Sequence, residues 1–232
     1  YTTLFRSAPA AAAGPAPAAG AGAPAAGTPE AAGVPRWESI LVSAGVNYVG
    51  ASVEAAHLGE PEHVPEAILA HLLRTGFLWE EIRMKGGAYG AMAGTRGLER
   101  VFSFASYRDP NIADTLERFA RALSETAAGG IDRATLDLAI IASVGRDSRP
   151  LSPGQKSIVS LKRSLYGISD ELRQWKRGEL LAVTPEAVQE AAGRLSRRFD
   201  RLYASVMGAR TAVEGAASTY PGILEHTLEL HL

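Results

Sequence analysis

The hydrophobic pattern of this chain changes its period at the glycine pair Gly86-Gly87. Before the glycine pair, the apolar residues that follow Pro65 recur every three or four positions, as on one face of an α-helix: Ile68, Leu69, Leu72 and Leu73. Gly76 interrupts this helix, and residues 77–83 form a second, shorter one. Downstream, residues 88–95 and 100–107 alternate with a period of two around Arg96-Gly97, which predicts an antiparallel hairpin. The chain therefore has to pass from helix to sheet close to the glycine pair.

The segments on either side of this region complete an α+β pattern. β-branched and aromatic residues at 45–53 predict a strand, and the alternation at 202–207 predicts a closing strand. Asp109 is predicted as an N-cap with Pro110 at the first helical position, and this helix ends at Gly129-Gly130. Further helices are predicted at 132–144, 155–166, 170–182 and 185–195. This order predicts an α+β fold with helices packed on one face of a mostly antiparallel sheet.

The first part of the chain is unlike the rest in composition. From Ser7 to Pro35 almost every residue is Ala, Gly or Pro, and no apolar side chain larger than Ala precedes Val34. Such a segment buries too little surface to offset the entropy of ordering it. We expect three parts: a disordered linker with the end of a preceding element (1–36), one domain (37–210) and a C-terminal tail (211–232). Because the chain opens on Tyr1 and has no leader-like features, we expect it to be a fragment of a longer polypeptide.

Charge and hydropathy exclude two classes of partner. Lys and Arg total 24 and Asp and Glu total 25, so the net charge of −1 gives no basis for binding nucleic acid. No apolar run approaches the roughly 18 residues of a membrane span, so no membrane partner is expected. The absence of cysteine excludes disulfides and thiolate metal sites.

The histidines do not form a recognisable metal motif. Neither His-Glu-x-x-His nor the inverted His-x-x-Glu-His occurs among the five histidines. His57-Leu58-Gly59-Glu60 begins like the inverted motif, but Pro61 replaces its last histidine and opposes the helix that would present both ligands. We therefore predict no metal site in this chain and histidines that are exposed or hydrogen-bonded.

Two other catalytic classes lack support. The glycines at 86, 87, 90, 94 and 97 lead into a strand instead of the helix N-terminus that binds phosphate, and no Gly-x-Ser-x-Gly elbow of a serine hydrolase occurs. Arg83 and Tyr89, which flank the glycine pair, remain as candidate functional residues. The residues alone allow two interpretations of this pair. The arginine complements a helix C-terminus and the tyrosine packs on a sheet, or both are functional donors.

Two stretches close to the glycine pair Gly86-Gly87 resemble a known family. They are residues 78–90, with the motif Arg-x-x-Gly-Gly-Ala-Tyr-Gly, and residues 101–111, with Tyr-Arg-Asp-Pro-Asn. Together with matches at 46–50 and 166–171, they resemble the C-terminal half of presequence proteases, which are pitrilysin-type zinc metallopeptidases with an inverted zinc motif. The similarity covers residues 42–207.

The resemblance implies a site divided between two halves of one polypeptide. In this family two homologous halves, joined by a linker, close around a chamber, and the N-terminal half carries the zinc and a glutamate base. The C-terminal half lends an arginine and a tyrosine to the bound peptide, and by motif position these are Arg83 and Tyr89, with Gly86 and Gly87 allowing the turn between them. The implied cofactor is Zn²⁺ in the full-length enzyme, with none bound by this chain. The implied partners are unfolded peptides, such as cleaved presequences, and the zinc-bearing half.

Two alternatives to a protease remain. The chain could belong to a non-catalytic pitrilysin-like scaffold subunit, or it could be a stand-alone peptide-binding module. For a protease from a eukaryote, the resemblance implies the mitochondrial matrix or the plastid stroma.

Overall fold

A computed structural model of the protein describes residues 35–230. The predicted linker, 1–36, therefore lies outside the described residues except for its last two positions. The strands are β1 (Trp37–Leu41), β2 (Asn47–Glu54), β3 (Gly90–Arg96), β4 (Val101–Asp109), β5 (Tyr203–Gly208) and β6 (Thr227–Glu229). The α-helices are α1 (His63–Thr75), α2 (Ala113–Ala128), α3 (Arg133–Asp147), α4 (Pro153–Leu165), α5 (Asp170–Ala182), α6 (Pro185–Arg198) and α7 (Arg210–Ala217).

The six strands form one mixed sheet in the order β3-β4-β2-β5-β1-β6. The pairs β3/β4, β4/β2 and β2/β5 are antiparallel, whereas β1 runs parallel to both β5 and β6. The prediction of an α+β fold with a mostly antiparallel sheet is confirmed, and the predicted hairpin is the β3/β4 pair.

One face of the sheet is covered by helices and the other is partly open. The covered face carries the buried residues Leu41, Val49, Ala51, Val53, Phe102, Phe104, Ala204 and Val206. Phe104 stacks on Phe119 of α2 with ring centroids 4.9 Å apart, which fixes that helix on the covered face. The alternate residues, such as Tyr48 and Ser205, are half-buried or exposed. No α-helix within residues 35–230 is long and apolar enough to cross a membrane.

The helix N-termini follow local side-chain chemistry. Asp132, Ser169 and Thr184 are N-caps whose side chains accept hydrogen bonds from backbone N–H groups, and Ser152 forms a capping box with Gln155. The start predicted for the helix after Asp109-Pro110 is wrong. Asp109 is the last residue of β4, fully buried, and α2 begins four residues later at Ala113.

The predicted C-terminal tail is part of the domain as far as residue 230. Val213 of α7 and Ile223, in the 3₁₀ turn that follows, are fully buried. Strand β6 then extends the sheet beside β1, and the hydroxyls of Ser39 and Thr227 lie 2.9 Å apart. Apolar side chains in this segment, too few to show a period in the sequence, hold it on the sheet.

Candidate functional site

A π-helical turn, Trp79–Lys85, presents Arg83. Leu78 and Ile82, both fully buried, anchor one side of the turn in the core, so the opposite side faces solvent. There the Arg83 guanidinium carbon lies 3.9 Å above the centre of the exposed Trp79 ring. This cation–π contact holds a permanently charged donor at the surface.

The glycine pair turns the chain from this helix into β3. Gly87 has φ +81°, a left-handed conformation that favours glycine, and its N–H donates to the Arg83 carbonyl oxygen at 3.2 Å. A Cβ atom on Gly86 would lie 2.6 Å from the Ile82 carbonyl oxygen. Both glycines are therefore required by the tightness of the turn.

Two side chains from the β4–α2 region secure the turn. The amide nitrogen Nδ2 of Asn111 donates to the Gly86 carbonyl oxygen at 2.9 Å. Arg118 of α2 donates to the Glu81 carbonyl oxygen, and its Nη2 atom pairs with Asp114 at 2.7 Å. Two carbonyl groups of the turn, those of Glu81 and Gly86, thus have side-chain donors of the kind that helix C-termini use.

Tyr89 lies at the entrance to β3 and is 59% exposed. Its backbone N–H donates to the Arg108 carbonyl oxygen at 3.2 Å, which continues the β3/β4 ladder by one pair. Its ring meets the Tyr107 ring edge-on, with centroids 5.4 Å apart. The Tyr107 ring also occupies the space beside Gly90, where an added Cβ would lie 2.2 Å from it.

A buried polar cluster lies beneath these aromatic rings. The two carboxylate oxygens of Asp109 accept hydrogen bonds from the Asn111 backbone N–H at 2.9 Å and the Thr115 hydroxyl at 2.8 Å. The Asp109 carbonyl oxygen accepts a third from the Asn47 amide at 2.9 Å. Asp109 is fully buried, and Asn47 and Thr115 are nearly so, which makes these bonds costly to break.

Residues 78–90 thus form one segment, held in place by Asn111 and Arg118, that carries all the predicted site residues: Arg83, Gly86, Gly87 and Tyr89. The side chains of Arg83 and Tyr89 contact different neighbours, Trp79 for the arginine and Tyr107 with Arg108 for the tyrosine. A groove of about 630 Å³ opens elsewhere, beside Glu186, Glu190 and Arg194 of α6. We conclude that Arg83, which is half-buried, and Tyr89, which is exposed, both lie at the surface of this segment.

The side chains of residues 35–230 do not form a zinc site. Within residues 35–230 no group of three or more His, Asp or Glu side chains is arranged to hold a metal. In the partial motif at 57–60, the Glu60 carboxylate accepts from the His57 backbone N–H at 2.8 Å and pairs with Arg100 at 2.6 Å. The His-x-x-Glu spacing also recurs at His63 and Glu66, with Ala67 at the last ligand position.

His63 and Glu66 belong to the first turn of α1 and are buried in the interior. Burial lowers the pKa of His63 to about 4 and raises the pKa of Glu66. Glu66 accepts a hydrogen bond from the Ala56 backbone N–H at 2.9 Å, and no partner of the His63 Nδ1 atom lies within the described residues. His63 is therefore neither exposed nor fully hydrogen-bonded, which corrects the expectation from the sequence.

The sequence pattern did not identify the residues that hold the site in place. These residues lie within the Tyr-Arg-Asp-Pro-Asn stretch on which the family resemblance partly rests: Tyr107, Arg108, Asp109 and Asn111. Their contacts with Gly86, Tyr89 and Gly90 explain why that stretch accompanies the Arg-x-x-Gly-Gly-Ala-Tyr-Gly motif. The available signal was therefore the presence of both motifs, without any indication of how they meet.

Comparison with known proteins shows similarity to presequence proteases and to peptidase domains. The family described as the PreP C-terminal domain matches residues 37–201. The mitochondrial presequence protease of Xenopus laevis is 36% identical over 149 residues, which cover 64% of this chain and 14% of that protein. Presequence protease 1, chloroplastic/mitochondrial, of Arabidopsis thaliana is 36% identical over 150 residues, with the same coverage of 64% and 14%. The chain thus spans about a seventh of the length of these relatives.

A solved structure shows the same fold. The inactive peptidase domain of a putative zinc protease from Bordetella parapertussis superposes with a TM-score of 0.59 at 16% identity. The match covers 72% of this chain and 92% of that one. The described domain therefore corresponds to nearly the whole of a separately determined peptidase-type domain.

Proposed function

The chain belongs to the family of PreP C-terminal domains, and we propose that it is the C-terminal, substrate-binding half-site of a zinc metalloendopeptidase that degrades unfolded peptides. Cleaved targeting presequences are the proposed substrates. The observation that carries the proposal is the secured turn at residues 78–90, which holds half-buried Arg83 and exposed Tyr89 at the surface of the domain.

Arg83 and Tyr89 supply the donors that peptide-bond cleavage requires. A peptide carbonyl oxygen becomes negatively charged when the carbonyl carbon is attacked, and preorganised donors stabilise that charge. Arg83 contributes a guanidinium that stays protonated, and Tyr89 contributes a phenolic hydroxyl. Gly86 and Gly87 allow the tight turn between the two donors.

The zinc belongs, in this proposal, to another part of the polypeptide. The side chains of residues 35–230 do not fit a metal ion, so this domain alone is inactive and depends on a zinc-bearing N-terminal half as its partner. Approach of the two halves brings Arg83 and Tyr89 to the substrate, which makes cleavage depend on closure. An enclosed site of this kind admits unfolded peptides and excludes folded proteins.

The names of the relatives support a location in an organelle if the protein is eukaryotic. They include a mitochondrial presequence protease and a chloroplastic/mitochondrial one. We propose the mitochondrial matrix or the plastid stroma in that case.

The first experiment replaces the charged donor. Arg83→Ala, in the polypeptide that carries both halves, is expected to lower the rate of cleavage of an unfolded presequence-like peptide by roughly tenfold to a thousandfold, the range for one lost oxyanion donor. The zinc content should be unchanged. Arg96→Ala, which removes an exposed arginine at the end of β3, is the control and should cleave normally. Wild-type cleavage by Arg83→Ala would refute the role of Arg83 as a donor. Absence of cleavage by the unaltered polypeptide would instead favour a scaffold or a peptide-binding module.

A second experiment tests the division of the site. The chain of residues 1–232, purified alone, is expected to bind no stoichiometric zinc when metal content is measured by atomic spectroscopy. One tightly bound zinc per chain would contradict the proposal that the metal lies on the other half.

A further inference from the structure

We propose that Arg108 is a positioning residue that holds the Tyr89 ring in its working orientation. This inference rests on the proposed function, because it gives the Tyr89 hydroxyl a role in cleavage. Four observations support it: the register of β4, the backbone conformation of Arg108, the buried cluster that fixes this conformation, and the contact of its side chain with the Tyr89 ring.

Arg108 is the extra residue of a β-bulge. In the β2/β4 pair, Tyr48 lies opposite Tyr107 but Asn47 lies opposite Asp109, so Arg108 has no partner on β2. A bulge redirects the side chain of the inserted residue and is common beside functional sites. On its other edge Arg108 still pairs with Tyr89 through the backbone hydrogen bond of 3.2 Å.

The backbone of Arg108 is in a conformation that arginine rarely adopts. Its φ is +49°, in the left-handed region. The adjacent residue holds it there, because Asp109 is fully buried and its carboxylate and carbonyl oxygens are bonded to Asn111, Thr115 and Asn47. Residues kept in such a conformation by a surrounding network occur often at functional sites.

The conformation directs the side chain to Tyr89. The Arg108 guanidinium carbon lies 5.7 Å from the centre of the Tyr89 ring, within the range of a cation–π contact. The edge of the same ring meets Tyr107, whose position requires Gly90. The Tyr89 ring is therefore held by a cation on one side and by an aromatic ring on another, although it is 59% exposed.

Arg100 provides an informative contrast. It is the other non-glycine residue with positive φ within residues 35–230, at φ +56°, and it lies in the same hairpin. Its guanidinium pairs with Glu60 at 2.6 Å, which gives it a structural role. Arg108 forms no salt bridge within the described residues, and its ring contact is with the proposed donor.

The consequence concerns the direction of the hydroxyl. An exposed tyrosine in a loop samples several χ1 rotamers, whereas a donor contributes most when it is already aimed at the developing charge. Arg108 and Tyr107 restrict the ring before substrate arrives. Loss of Arg108 should therefore lower turnover without removing the hydroxyl itself.

The test uses Arg108→Gly, because glycine adopts the left-handed conformation without strain. The free energy of unfolding should be unchanged or higher, while kcat for an unfolded peptide should fall roughly two- to fivefold, the factor that corresponds to one exposed cation–π contact. Arg108→Lys, which keeps a cation near the ring, should retain part of the activity. Arg100→Gly is the matched control and should leave kcat unchanged.

A double-mutant cycle with Tyr89→Phe separates positioning from other roles. Once the hydroxyl is absent, its orientation no longer matters, so Arg108→Gly should have no further effect on kcat in the Tyr89→Phe background. Independent effects that multiply would overturn the inference, because Arg108 would then act without Tyr89. A Tyr89→Phe variant with normal kcat would instead refute the proposed function.

A readout without turnover uses the chain alone. With ¹³C-labelled tyrosine, the Tyr89 ring signals are assigned as those lost in Tyr89→Phe. They should shift and sharpen in Arg108→Gly as the ring becomes more mobile, and should stay unchanged in Arg100→Gly. Unchanged Tyr89 signals in Arg108→Gly would overturn the inference whatever the proposed function proves to be.

Discussion

Acid should destabilise this domain through His63. The imidazole is 5% exposed and lies under the hairpin turn, where a Cβ on Gly97 would be 2.6 Å from its Cε1 atom. Burial, assisted by the charges of Lys176 and His57, lowers the pKa of His63 from 6.5 to about 4. Replacement by leucine, which is similar in volume and cannot be protonated, removes this dependence on pH.

The magnitude follows from the two pKa values. As the pH falls below 6.5, the unfolded chain takes up a proton on His63, whereas the folded chain stays neutral there until about pH 4. Each pH unit in this interval costs about 1.4 kcal/mol, so the folded state loses about 3 kcal/mol between these limits. That loss is a substantial fraction of the roughly 5–15 kcal/mol by which a domain is stable.

The assay is urea unfolding of the chain, followed by tryptophan fluorescence, at several pH values from about 7.5 to about 4. Glu66 has to be separated from His63, because burial raises its pKa and its protonation therefore stabilises the folded state as the pH falls. Both proteins contain Glu66, so the difference between wild type and His63→Leu isolates the histidine. Parallel pH dependence of the two proteins would refute the reasoning, since His63 would then titrate normally.

Two other predictions concern the framework of the site. Thr115→Val removes the hydroxyl that donates to buried Asp109 at 2.8 Å, and should lower the free energy of unfolding by about 1.5–3 kcal/mol; equal stability would show that this hydrogen bond contributes nothing. Gly90→Ala places a Cβ 2.2 Å from the Tyr107 ring, whereas Gly94→Ala on the same strand meets no atom within 4 Å. Gly90→Ala should destabilise the domain by about 1–3 kcal/mol and slow peptide cleavage, whereas Gly94→Ala should do neither. Equal stability and equal cleavage rates of the two variants would contradict the proposed packing.

The sequence predicted those elements of the fold whose cause is local. The period of two in residues 88–107 reflects a sheet with one covered and one open face. The N-cap at Thr184 reflects a hydrogen bond between its side chain and the backbone N–H of Ala187, three residues further along the chain. Strand β1 was not predicted, because it has five residues and pairs with β5 and β6, more than 160 residues away. Asp109 misled the prediction because an Asp-Pro pair has the same pattern whether the carboxylate caps a helix or binds Thr115 in the interior.

The candidate site could be predicted only in part, and for a similar reason. Arg83 and Tyr89 were singled out by a family resemblance, since an arginine and a tyrosine six residues apart have no chemical signature of their own. The contacts that hold them depend on tertiary structure: Asn111 reaches Gly86, and the bulge at Arg108 sets where that side chain meets Tyr89. A one-residue change of register in β4 would remove the second contact without altering any local pattern.

The most direct test of the account removes one oxygen atom from Tyr89. In the polypeptide that contains both halves, Tyr89→Phe should reduce kcat for cleavage of an unfolded presequence-like peptide by roughly tenfold to a thousandfold, with zinc content and stability unchanged. Tyr166→Phe is the matched control, because Tyr166 is 62% exposed against 59% for Tyr89 and lies at the end of α4; it should keep the wild-type rate. Equal rates for Tyr89→Phe, Tyr166→Phe and wild type would contradict the claim that this corner supplies a donor to the peptide bond.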